Sequence, residues 1–161
     1  MEKLAILLLT GCLLYSFTIN SPKSESGNYC NARFDFCISY PSDLFVKKEV
    51  SDNGDGIELS GLDGEVKLSV SGVKNVLDQD LEGVYEDLKY SISFSEGGIE
   101  NEIVETGEKY FLTSFTANDK KFFVKAIEHQ EDFVVLLAET HNTSLFNLKD
   151  FKSEIAIQLE P

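Results

Sequence analysis

The chain has 161 residues, with 28 acidic against 14 basic side chains and a formal charge of −14 at pH 7. That balance excludes nucleic-acid binding, which needs clustered Lys and Arg against phosphate, and disfavours anionic membrane surfaces for the same reason. From about residue 20 onward the length suits one domain and is too short for two. The 12 Phe and 6 Tyr supply much of its core.

Met1-Glu2-Lys3 opens the chain, and residues 4–19 are almost wholly apolar. Roughly 16 residues make about 24 Å of helix, short of the ~20 residues of a membrane span. Residues 1–19 are therefore expected to be a signal peptide or lipoprotein signal, and the product to be exported, periplasmic or extracellular. Leu9-Thr10-Gly11-Cys12 resembles a lipobox, which makes Cys12 a candidate for lipidation. Against this, Leu13, Leu14 and Tyr15 stay apolar where a lipoprotein turns polar. Three outcomes stay open: a soluble exported domain, a lipoprotein tethered at Cys12, and retention by the segment. Membrane contact is expected only through this segment. Residues 20–28, rich in Ser, read as a flexible linker, and residues 29–161 as a single α+β domain.

Outside the targeting segment the cysteines are Cys30 and Cys37. In an oxidising compartment two such residues pair. Their spacing suits two strands of a tight hairpin, or a loop folded back onto the first strand. Closing so short a loop is worth about 2–3 kcal/mol. The spacing is not C-x-x-C and no His lies nearby, which argues against metal or redox chemistry.

Residues 34–40 alternate as a strand closed by Pro41. Residues 44–50 are extended, 52–56 (Asp-Asn-Gly-Asp-Gly) form a turn, and 57–60 a short strand. Residues 65–73 alternate, with Val66, Leu68 and Val70 on one face. The period then changes: Leu77, Leu81, Val84, Tyr85, Leu88 and Ile92 fall at helical spacing, with Asp78 as N-cap. Gly97-Gly98 ends that helix. Residues 110–116, 122–128 and 133–140 form a meander with hairpin turns at Asn118-Asp119 and Gln130-Glu131-Asp132. Residues 144–157 read as a terminal helix with Leu145, Leu148, Phe151 and Ile155 on its apolar side. The sum is an α+β fold, an antiparallel sheet of about six strands with two amphipathic helices covering one face.

The run Tyr29-Cys30-Asn31-Ala32-Arg33-Phe34-Asp35-Phe36-Cys37-Ile38-Ser39-Tyr40-Pro41 resembles the opening of bacterial exported proteins, Tyr-x-x-x-Arg-Phe-x-Phe-x-Ile-x-Tyr-Pro. With the Asn53–Gly56 turn and the strand at 66–70, it resembles the PsbP-like fold, shared by an extrinsic photosystem II subunit and a Ran-binding nuclear transport factor. The resemblance covers roughly residues 29–73. It implies an antiparallel sheet flanked by helices and a binding or assembly role, and it matches no partner-specific motif. Cys30 and Cys37 depart from the family's small polar residues.

The chemistry-bearing residues do not converge in sequence. His129 and His141 flank one strand, about 26 Å apart at ~3.3 Å per residue, and are expected as exposed turn residues. No G-x-S-x-G elbow or phosphate-binding Gly loop occurs. The cluster from Asp52 to Gly56 with Glu58 is oxygen-rich, but Leu62 stands where an EF-hand needs its bidentate Glu, so a plain turn is expected. Asn142-Thr143-Ser144 is a formal glycosylation acceptor, relevant only in a eukaryotic secretory pathway. No catalytic residue, metal ligand or cofactor is therefore assigned. The expected function is a non-catalytic cell-envelope binding or assembly module with a protein partner. An enzyme with an unrecognised carboxylate site, or a structural surface lipoprotein, are the alternatives.

Overall fold

The structure is a computed structural model that describes residues 25–144 and 146–159. The expected signal at residues 1–19, Cys12 and Leu145 lie outside the described residues. Ten strands form two sheets among them. The small sheet has the order β1-β2-β10, built from β1 (Ser26–Asn31), β2 (Phe36–Pro41) and β10 (Ala156–Leu159). The large sheet runs β3-β4-β5-β9-β8-β7-β6. Its strands are β3 (Lys47–Val50), β4 (Gly56–Ser60), β5 (Val66–Val73), β6 (Glu100–Thr106), β7 (Tyr110–Ala117), β8 (Lys120–His129) and β9 (Asp132–Thr140). All of these pairings are antiparallel. The two helices are α1 (Leu81–Glu96) and α2 (Leu148–Glu154).

Period-2 alternation sets the layers. Along β9, Val134, Leu136 and Ala138 enter one core and Phe133 and Val135 the other. The first core lies between the two sheets and takes in Phe36 and Ile38 of β2, Leu68 and Val70 of β5, and Phe151 of α2. Phe123 there stacks on Phe151 at 5.8 Å between ring centroids and meets Phe146 edge-on at 5.9 Å. The second core lies under α1, where Val84 and Ile92 cover Phe111, Phe115 and Phe122. Burying a side chain of this size contributes about 1.5–3 kcal/mol, so two apolar faces on one sheet require two covers.

This arrangement corrects three expectations. The helices do not share a face: α1 covers the outer side of β7 and β8, while the small sheet and α2 fill the inner side. The large sheet has seven strands, not about six, and three more form the second sheet. The terminal helix is short, capped by Asn147 in a capping box with Asp150, and the chain then extends as β10 against β2. The backbone of Ala156–Leu159 satisfies the open side of β2, which a longer helix could not do, while Ile155 and Ile157 pack into the first core. Two boundaries also move. β1 begins at Ser26, inside the expected linker. The N-cap of α1 is Asp80, whose carboxylate accepts from the Gly83 amide at 2.9 Å, rather than Asp78. Leu77 lies before the helix and is exposed.

The hairpin turns form where expected. Asn118 and Asp119 both take positive φ, 48° and 61°, the backbone of a two-residue turn whose twist matches the strands. Cys30 and Cys37 face one another in the β1–β2 register and are joined as a disulfide. Of the two readings of their spacing, the tight hairpin is the one found.

Candidate functional site

The tip of the β1–β2 hairpin is docked against the tip of the β3–β4 hairpin. Asn31, buried, donates from Nδ2 to the Gly54 carbonyl at 3.0 Å and accepts at Oδ1 from the amides of Arg33, 2.9 Å, and Phe34, 3.2 Å. The Arg33 guanidinium donates to the Asn53 carbonyl at 3.1 Å and pairs with the Asp55 carboxylate. Asn53 holds the same carboxylate from the other side, Nδ2 to Oδ2 2.7 Å. Asp55 is thus consumed by Arg33 and Asn53, which places a cation from the chain itself where a calcium-binding turn would place the ion.

Phe34 is the hinge of this junction. Two cations approach its ring, Arg33 Cζ at 5.3 Å and Lys74 Nζ at 5.2 Å from the centroid. It sits directly on Gly72, where a Cβ would fall 2.0 Å from the ring. Lys74 in turn pairs with Asp132 at the start of β9. Burial alone would raise the Asp132 carboxyl, but hydrogen bonds from Lys74 and the Asn75 amide, with the charge of Arg33, hold it below its ordinary value.

Beside this junction, at the β3 end of the large sheet, opens a cleft of about 580 Å3. α1 covers β7 to β9 and leaves this end bare, so Glu49 of β3, Glu58 of β4 and Ser69 of β5 stand side by side on the outer surface. Glu49 and Glu58 are direct cross-strand partners of like charge, an arrangement that destabilises a sheet. Neither forms an ion pair among the described residues, and the same holds for Asp52 at the cleft's rim. Val50 and Val73 add apolar surface, 50% and 41% exposed. Three serines line the cleft and no histidine does; Ser51 is engaged with the Gly56 amide at 2.8 Å. The chemistry on offer is attraction of a cation with an aliphatic stem.

The two histidines are not brought together, since His129 pairs with Asp132 at one end of β9 and His141 follows its other end. His141 is exposed, as expected. His129 is half-buried, its Nε2 facing no hydrogen-bond partner among the described residues and lining a 50 Å3 hollow with Arg33, Asp35, Lys74 and Asp132. Sequence reasoning placed it on an exposed turn because it flanks the strand at 133–140 beside a hairpin turn; the docked Arg33 hairpin is what covers it. Asn142 folds its Oδ1 onto the Ser144 amide at 3.0 Å in an exposed turn. The Glu49–Glu58 pair was missed because cross-strand register cannot be read until both strand ends are known.

No family model matches the chain, and no curated protein does. Among solved structures 13 chains match. One is the solution structure of cyanobacterial PsbP (CyanoP) from Synechocystis sp. PCC 6803, similar over 86% of this chain and 96% of that chain, with a TM-score of 0.58 at 10% identity. At that identity the likeness speaks to fold alone, and it agrees with the antiparallel sheets and two helices: this chain has a PsbP-like fold.

Proposed function

We propose that the chain is a non-catalytic binding or assembly module of an exported compartment, and that the cleft at the β3 end takes a cationic group of a protein partner. The observation that carries the reading is the apposed Glu49–Glu58 pair, unpaired by any cation among the described residues. Like charges held opposite each other cost about 0.2–1 kcal/mol, and stability is commonly given up at working surfaces. Export is supported by the Cys30–Cys37 disulfide, which persists in oxidising compartments, together with the apolar N-terminal segment.

Two measurements test this. Intact mass of the protein purified from its native host, with and without reduction, is expected to begin after the apolar segment, or at Cys12 with acyl chains, and to gain about two hydrogens on reduction. A mass retaining Met1 in a soluble cytoplasmic fraction overturns export. Capture of a basic protein from an envelope extract is expected with the wild-type domain and is expected to fall at least about tenfold with Glu49→Gln/Glu58→Gln. Equal capture by both removes the cleft from the function.

A further inference from the structure

A second groove, of about 500 Å3, lies at the opposite end of the large sheet, between the start of α1 and the β6–β7 hairpin. Its floor is apolar and aromatic: Leu81 and Tyr85 from α1, Val104 from β6 and Phe111 from β7, with the Tyr85 and Phe111 rings edge-to-face at 5.3 Å. Its rim carries Glu82, Glu108 and Glu128, none of which forms an ion pair among the described residues, and no Lys or Arg lines it. One wall of the groove is β6, the terminal strand of the sheet, and all seven of its residues are exposed. A β-bulge at the Glu100 end, with Asn101 at φ 53°, interrupts the first half of that edge. From Ile103 to Thr106 the pairing with β7 is regular, so the outer edge there keeps the extended backbone that a further strand needs.

We propose that this edge and groove form a docking surface for an extended segment of a partner protein that alternates basic and aliphatic residues, added as a strand beside Ile103–Thr106. Alternation places every second side chain on one face of an added strand. The aliphatic stems would lie over Val104 and Leu81 while the ammonium or guanidinium ends reach the three free carboxylates. A second copy of this chain is disfavoured as occupant. Apposing two such edges would bring together the acidic rims of two grooves, with Glu82, Glu108 and Glu128 on each, in a protein that already carries −14. The same charge that guards the edge against self-pairing selects a basic strand. The surface is separate from the Glu49–Glu58 cleft and deepens the binding reading by naming a partner chemistry.

The test uses the 15N-labelled exported domain and a capped synthetic peptide of alternating Lys and Val, about eight residues long, at low and high salt. Amide shifts are expected to concentrate at residues 103–108 and 81–85, and affinity to fall at least about tenfold on adding salt or on Glu82→Lys/Glu108→Lys. The Glu49→Gln/Glu58→Gln variant is expected to leave this affinity unchanged, which separates failure here from failure at the cleft. Methylating alternate peptide amides on the edge-facing side is expected to abolish binding. Undiminished binding by the methylated peptide, equal binding by a Glu–Val peptide, or shifts that avoid β6 would each overturn the proposal.

Discussion

Phe34 shows how much one residue can fix. It stands in a turn rather than a strand, yet it is 5% exposed, because its ring fills the space that Gly72 leaves open. Phe34→Ala is expected to destabilise by about 3 kcal/mol or more. Gly72→Ala forces a Cβ into the ring and is expected to cost about 1–3 kcal/mol. Because both changes act on one contact, the double variant should be clearly less than additive in denaturant unfolding; strict additivity would mean that ring and glycine are not in contact. The disulfide acts on the same hairpin by another route. Closing a loop between residues 7 apart in sequence limits the unfolded chain, so Cys30→Ala/Cys37→Ala is expected to lose about 2–3 kcal/mol of stability, measured against the oxidised protein.

At the scale of elements, α1 is tied to β6 by Lys89, which reaches Glu102 at 2.9 Å, while Tyr85 donates to the same carboxylate. Burial alone would raise Glu102, but the hydrogen bonds from Tyr85 and Lys89 outweigh it and hold the carboxyl below its ordinary 4.5. A folded-state value below the unfolded one stabilises the fold above about pH 4.5, and that contribution is lost as pH falls through the folded value. Glu102→Gln should therefore lower the melting temperature at neutral pH, and the difference from wild type should shrink as pH falls below 4.5. Aromatic residues on the two sides of the elements should behave oppositely. Phe146, fully buried against Phe45, Phe123 and Phe151, is expected to cost about 3–5 kcal/mol as Phe146→Ala. Tyr90 and Phe94, 73% and 83% exposed on the outer face of α1, should stay within about 0.5 kcal/mol of wild type as Tyr90→Ser/Phe94→Ser.

The elements differ in how far the sequence revealed them. Val66, Leu68 and Val70 alternate because one side of β5 is core, and the helical spacing from Leu81 to Ile92 follows one buried stripe; both were legible. β6 was not read, because an edge strand exposed along its length needs no apolar face. β10 was read as helix because Leu148 and Phe151 start a helical spacing, and only the need of β2 for a second neighbour decides what Ile155 and Ile157 do.

For the whole molecule, the surplus of acid is distributed with consequence. The cations that line the hairpin junction are spent within it, Arg33 on Asp55 and Lys74 on Asp132. Among the described residues, carboxylates without ion pairs stand at both ends of the large sheet, at Glu49 and Glu58 near β3 and at Glu82, Glu108 and Glu128 near β6. On the proposed reading, such a surface would draw cationic partners at rates that fall with salt. The most direct measurement of the proposed binding is an amide-shift map of the labelled domain as a basic protein obtained by the capture experiment is added at low salt. Perturbations centred on residues 49–58, reversed by salt and absent in Glu49→Gln/Glu58→Gln, are the predicted result. Perturbations confined to the small sheet and α2, indifferent to salt, would contradict the account.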